Sequence, residues 1–353
     1  MKLIQAFIWS LLSLTALCLP GVSWAQTQTW PTKPVKFVVA FAPGGPADII
    51  GRILGQKLGE ALGQNVVVEN RGGAGGSIAS GIVAKADPDG YTLLINTSSY
   101  AVNPAMSRNL PFDPEKDLLI STLVASSPNL IVASPTLKAR NLKEVMAEAQ
   151  SGKYNYGSAG AGTTPQLSAE YLFKVLGKVN VTHVPFQGAG PALNAAMAGQ
   201  IELASVALPA AVELVKAGKV KGLAVTSNKR VAAIGDVPTV AESGFAGFED
   251  YTWVGVFAPA KTPEAIVQRI QREVAAIQRQ PDFQAKLAAT GFEVMGGSTK
   301  EAQDFLQQEL IKWAEWSRKP APKWTEPLGF GSRGRLPSPL GSVQRVPHQL
   351  AAG

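Results

Sequence analysis

The sequence predicts an α/β protein of two domains, each a mostly parallel sheet flanked by helices. From Pro34 onward, apolar runs alternate with stretches of helical period, separated by Gly/Pro loops. The same strand–loop–helix unit returns from Tyr154. The 353 residues, 46% hydrophobic and 17% charged, suffice for two cores and are too apolar for a disordered chain.

The elements follow in order. Residues 35–41 read as a strand and Pro43-Gly44-Gly45-Pro46 as the loop after it. Apolar residues at 49, 50, 53, 54, 58, 61 and 62 form one helix face. Gly45 suits the cap of that helix, Pro46 its first turn and Gly63 its end. A strand at 66–69, a glycine loop at 71–77, a helix at 78–86 and a strand at 91–96 complete a βαβαβ run. That order implies parallel strands with helices on both faces. The second unit has a strand end at 154–158, a loop at 159–164 and a helix at 165–176 ended by Gly177. A strand at 181–185, a loop at 187–190 and a helix at 191–198 ended by Gly199 come next, then strands at 202–207 and 222–226. The chain then returns to the first domain with a strand at 253–258 and amphipathic helices at 263–279, 281–290 and 299–316. The expected domains are therefore 26–122 joined with 228–317, and 123–227.

The net charge of +7 raises the question of nucleic acid, and its distribution answers it. Lys2 is the only charge in residues 1–25. Residues 318–353 carry six basic side chains against Glu326, and the body between holds 26 basic and 25 acidic residues. The clusters Lys216/Lys219/Lys221 and Lys229/Arg230 are too sparse to track phosphates, so no nucleic-acid partner is expected. One cysteine and two histidines exclude a disulfide framework and argue against a zinc site; no cofactor or metal is expected. Lys2, an uncharged apolar run and Ser23-Trp24-Ala25 fit an export signal cut after Ala25. The run is broken by Gln5, Ser10, Ser13 and Pro20 and is short for a membrane span. The mature chain is then periplasmic and free of Cys18. Residues 318–353, with six prolines and five glycines, read as a disordered basic tail.

Three loops share one design, in which a strand leads through small residues into a helix opening with proline. They are Pro43-Gly44-Gly45-Pro46, residues 157–165, and Gln187-Gly188-Ala189-Gly190-Pro191. A helix start presents unpaired N–H groups and a partial positive charge, and Ser/Thr hydroxyls add donors. All three lie at strand C-termini, where open α/β sheets bind ligands. The chemistry implied is capture of a small anion without a charged side chain. Other motifs fit less well. The 157–163 loop lacks the lysine of a P-loop, and Gly72–Ser77 lacks the spacing of a dinucleotide loop. A Ser158/His183 catalytic pair has no G-x-S-x-G elbow, Ser158 is expected to lack a base partner, and His183 reads as structural. Asp48, third in its helix, also reads as structural, near the helix dipole.

In this order the loops resemble the Bug family, the extracytoplasmic binding proteins of tripartite tricarboxylate transporters. The matching segments include Phe41-x-Pro43-Gly44-Gly45-x-x-Asp48, Val68-Glu69-Asn70-Arg71-x-Gly73-Ala74-Gly75-Gly76 and Asp87-Pro88-Asp89-Gly90-Tyr91. Gly157-Ser158-Ala159-Gly160-x-Gly162-Thr163, His183-Val184-Pro185-Phe186-x-Gly188, Asp236-Val237-Pro238-Thr239 and Trp253-x-Gly255 follow. The resemblance implies a two-domain clamshell of the periplasmic-binding-protein type II kind, not an enzyme. It implies closure on a small carboxylate and delivery to membrane subunits of a tripartite tricarboxylate-type transporter. By position, Pro43, Gly44, Gly45, Asp48, Thr97 and Ser98 would line one side of the cleft. Ser158, Ala159, Gly162, Thr163, Phe186 and Gly188 would line the other. Val206 stands where many members carry an acid, which favours a non-amino mono-, di- or tricarboxylate, aromatic acids included. A monomer is expected. A ligand sensor for a membrane receptor and an exported α/β hydrolase or transferase using Ser158 remain as alternatives.

Overall fold

The computed structural model describes residues 30–107, 109–150 and 154–318. The expected export signal at 1–25 and the tail beyond Arg318 lie outside the described residues. Residues 30–32 are irregular, and from Lys33 the described chain forms one compact unit. Its first half contains β1 (Val35–Val39), α1 (Pro46–Leu62), β2 (Val66–Asn70), α2 (Ser77–Ala84), β3 (Thr92–Thr97), α3 (Ser99–Met106) and β4 (Leu118–Ala133). Then come α4 (Leu142–Ala149), β5 (Asn155–Ser158), α5 (Thr164–Glu170), β6 (Thr182–Pro185), α6 (Ala189–Met197), β7 (Leu203–Ala207), α7 (Val212–Lys216) and β8 (Lys221–Val225). The chain finishes with β9 (Tyr251–Pro259), α8 (Glu264–Gln278), α9 (Pro281–Ala289), β10 (Glu293–Val294) and α10 (Thr299–Arg318).

Local signals act where expected. Gly45 is the N-cap of α1, Pro46 lies in its first turn, and Gly63 closes it in the left-handed conformation. Ile50, Leu54 and Leu58, one turn apart, are fully buried. Helix α5 starts one residue before Pro165 and continues as a π-helical stretch over Tyr171–Leu176. Helix α6 begins at Ala189 rather than Pro191, so the third glycine loop is shorter than expected and Gly190 belongs to a helical turn.

The strands form one sheet in the order β2-β1-β3-β9-β4-β7-β5-β6, with β10 and β8 also paired to β4. The parallel expectation holds at both ends, where β1 pairs β2 and β3, and β5 pairs β6 and β7. The middle is antiparallel, because β4 and β9 run against their neighbours. Strand β4 is the longest of the elements that the sequence pattern does not reveal. Its sixteen residues are buried on both faces, so they show no polar alternation, and Pro128 interrupts them. Residues Leu118–Pro128 pair with β9, whereas Asn129–Ala133 pair with β7. Register shifts at Ile120/Thr122, Leu123/Ala125 and Ile131/Val132 let this long strand bend. Beyond the change of partner its side chains serve two cores. Ile131 and Ala133 join Tyr156, Leu172 and Phe173, while Leu130 and Val132 join Ala192, Val206 and Val212 on the other face.

At the point where β4 changes partner lies a buried polar knot. Asn129 N–H donates to Thr226 Oγ1 (2.8 Å), and Thr226 Oγ1 donates to the Asp250 carbonyl (2.5 Å). Asn129 Nδ2 donates to Asp250 Oδ2 (2.6 Å), and the Ser168 hydroxyl bonds the same oxygen. Asp250 Oδ1 finds no partner among the described residues. Burial therefore dominates, pushing this carboxyl from an ordinary 3.8 up to about 7 against the Ser168 bond and the Lys312 charge. The folded state then holds a proton that the unfolded chain releases near pH 4. The stability of the wild type relative to Asp250→Asn should fall as pH rises from about 4 to 7 and be level above. Urea unfolding of both proteins at pH 4 to 8 measures this; a constant difference would contradict it.

Candidate functional site

The first loop is set by its own helix. Gly44 N–H donates to Asp48 Oδ2 (3.0 Å), while Asp48 Oδ1 accepts from Arg52 Nε (3.0 Å) and Asn70 Nδ2 (2.9 Å). Asn70 Nδ2 also donates to the Phe41 carbonyl (2.9 Å). Burial acts to raise the Asp48 carboxyl, but the bonds from Arg52, Gly44 and Asn70 outweigh it and hold the group below its ordinary value. Asp48 is thus a charged brace for Gly44, in keeping with a structural role at the helix start.

The sheet curls until the loops at its two ends meet. Six strand spacings separate β1 from β6, roughly 29 Å were the sheet flat. Yet Ala42 N–H, after β1, donates to the Gln187 carbonyl, after β6, at 3.0 Å. The starts of α1 and α6 come together here. A Cβ built on Gly45 would lie 3.7 Å from Ala189 Cβ, and one on Gly190 only 2.4 Å from the Pro43 carbonyl oxygen. Only a residue without a side chain permits that last approach. Gly188, the N-cap of α6, lies against Ala42. The loop after β2 joins the cluster at Gly75, where a Cβ would stand 2.4 Å from the Ala161 carbonyl oxygen. Asn103 Nδ2 donates to the Gly75 carbonyl (2.8 Å), and the Asn103 amide also lies against Gly162.

Hydroxyls line the same region. Ser98 Oγ and Thr164 Oγ1 are 3.0 Å apart, and Thr164 Oγ1 continues to Thr252 Oγ1 (2.6 Å). Thr252 donates to Asn129 Oδ1 (2.7 Å), which links the loops to the Asp250 knot. The Thr97 hydroxyl is paired with Ser99 (3.0 Å), and Thr163 Oγ1 donates to the Gly160 carbonyl (2.8 Å). Ser158, fully buried, accepts from Gly160 N–H (3.1 Å), and its Oγ stands 2.7 Å from His183 Nε2. His183 therefore does meet Ser158, contrary to the expectation that the serine lacks such a partner. The two residues lie on adjacent strands whose pairing aligns Tyr156 with His183.

The expected site residues thus divide. Pro43, Gly44 and Gly45 meet Gly188–Gly190; Ser98 meets the start of α5, while Thr97, Ser158, Gly162 and Thr163 have their polar groups tied within their own loops or to Gln166 and His183. Val206 is fully buried in an apolar cluster with Leu130 and Ala189, against which Ala159 and Phe186 also pack. Sequence reasoning left out the Gly72–Ser77 loop, Asn103 and Thr164. The loop was legible as the turn after β2. Asn103 was not, because α3 is short and contains Pro104. Among the described residues no group of three or more His, Cys, Asp or Glu is placed to hold a metal, and no helix is long and apolar enough to cross a membrane.

Gly190 offers a test of this contact. It lies in helical backbone, where alanine is favoured over glycine by about 1 kcal/mol. Gly190→Ala should nevertheless lower the melting temperature, because its methyl would stand 2.4 Å from the Pro43 carbonyl oxygen and overpacking of about 1 to 3 kcal/mol opposes the helical preference. An unchanged or raised melting temperature would contradict the close approach of the two loops.

The family model described as the tripartite tricarboxylate transporter family receptor, TctC, matches residues 50–319. The chain is 32% identical over 294 residues to Protein BugT of Bordetella pertussis, covering 82% of this chain and 90% of that one. It resembles the structure of R. palustris Rpa4515 with adipate at 35% identity and a TM-score of 0.78, over 82% of this chain and 97% of that one. MatC from Rhodopseudomonas palustris with bound malate is similar at 32% identity and a TM-score of 0.77, over 82% and 100% of the two chains. Seven matched segments, a mixed sheet curled on itself and a family model spanning most of the fold agree: the chain belongs to the tripartite tricarboxylate transporter receptor family of solute-binding proteins, which are not enzymes.

Proposed function

We propose that this protein captures a small non-amino carboxylate where the loops from the two ends of the sheet meet, and delivers it to membrane subunits of a tripartite tricarboxylate-type transporter. The observation that carries the reading is the meeting of the α1 and α6 starts at Gly45 and Ala189. Each helix start carries roughly half a positive charge, so bringing two together is unfavourable unless an anion lies between them. A carboxylate supplies that anion, and its binding favours the state in which the loops touch. Two lobes, residues 26–122 with 228–317 and residues 123–227, would close about the point where β4 changes partner. The adipate and malate bound by similar proteins support the ligand class.

Pro43, Gly44, Gly45, Thr97 and Ser98 would contribute from one lobe, and Ser158, Ala159, Gly162, Thr163, Phe186 and Gly188 from the other, with Asp48 bracing the first loop. Val206 lies in the apolar cluster beneath and offers nothing to pair with an ammonium group. The protein would act as an exported monomer after cleavage following Ala25.

A thermal-shift screen of residues 26–353 with adipate, malate, citrate, aspartate and glutamate tests this. At one hundred times the dissociation constant a ligand adds about 2.7 kcal/mol, a rise of roughly 5 to 10 °C. A rise with one of the first three and none with the amino acids is expected. A response to aspartate or glutamate alone would overturn the ligand class.

A further inference from the structure

His183 is placed with more care than a solvent-facing strand residue requires. Its ring lies against Tyr156, with centroids 4.9 Å apart. The Tyr156 hydroxyl donates to Glu170 Oε1 (2.6 Å), and Lys174 pairs with the same carboxylate (2.5 Å). The ring is thereby clamped from β5 and α5 with Nε2 aimed at the Ser158 hydroxyl, 2.7 Å away. A serine hydroxyl has one proton and two lone pairs. One lone pair of Ser158 is taken by Gly160 N–H. If Nε2 carries a hydrogen, it fills the second lone pair. The serine proton is then left for an acceptor such as the Gly160 carbonyl at 3.2 Å or an anion in its place. If Nε2 is bare, the serine proton is spent on it.

We propose that His183 is a positioning residue of the carboxylate site: by donating from Nε2 to Ser158 it turns the serine proton toward the bound anion. This rests on the reading that Ser158 contacts the ligand. The charged groups facing the ring are Glu170 from α5 and Lys174 from the π-helical stretch, beside the neutral Tyr156 of β5. Burial, opposed by Glu170 and aided by Lys174, holds the imidazole below its ordinary 6.5. At neutral pH the ring is uncharged and its tautomer decides. Below that range the imidazolium keeps the same Nε2–H bond and makes it charge-assisted, so carboxylate affinity gains as pH falls through the His183 titration.

The test has a part that needs no ligand. The chain has two histidines, His183 and His348, so nitrogen-15 NMR of the imidazoles, assigned with His183→Gln, reads the tautomer directly. A hydrogen on Nε2 at pH 7.5 is expected; a bare Nε2 overturns the proposal. The second part measures affinity for adipate and for malate by calorimetry from pH 5.5 to 8. Ser158→Ala and His183→Leu should each weaken binding about tenfold, and the double variant no further, since both remove one hydrogen bond to a charged group. His183→Gln, which keeps a donor at that place, should bind within about threefold of wild type and lose the gain at low pH. Additive losses, or a His183→Gln profile equal to wild type, overturn the role of His183. Unchanged affinity in Ser158→Ala overturns instead the placing of Ser158 at the ligand.

Discussion

The backbone bond from Ala42 N–H to the Gln187 carbonyl ties together two loops that a flat sheet would hold apart by many strand spacings. Everything at the site depends on that folding back. It brings the starts of α1 and α6 into contact, seats Gly75 against Ala161, and sets Ser98 beside Thr164. The contact lacks side-chain bulk because bulk would prevent it. Pro43 and Gly190 meet through backbone alone, so the geometry is fixed by chain direction rather than by long, mobile side chains.

The electrostatics follow from the same choice. The acid nearest the first loop, Asp48, is already satisfied by Gly44, Arg52 and Asn70, and so braces the loop without opposing an anion with a free carboxylate. The donors that remain belong to helix starts and hydroxyls, fixed in place by the fold and without the desolvation cost of a buried lysine or arginine. A polar line then runs inward from Ser98 through Thr164, Thr252 and Asn129 to Asp250. It ends where β4 changes partner, so the loops and the bend in the sheet share one hydrogen-bonded path.

Much of this was legible before any coordinates. The parallel ends of the sheet, the cap and stop of α1, and two of the meeting loops are written locally, in turn glycines, prolines and helical period. Strand β4 was not, because burial on both faces erases the alternation that marks a strand. Nor was His183 beside Ser158. The two are twenty-five residues apart, and the loop and helix between them give no hint that β5 and β6 are neighbours in that register.

The sequence by itself determined the alternating α/β class, the nearly neutral body, and the glycine loops that open helices at strand ends, since each depends on residues close together in the chain. Only the tertiary structure decided which loops touch, that Asp48 serves Gly44, and that Asp250 is buried with one oxygen unpaired among the described residues. Those outcomes depend on the curl of the sheet about β4, and a curl is a sum over strands that no single stretch of sequence contains.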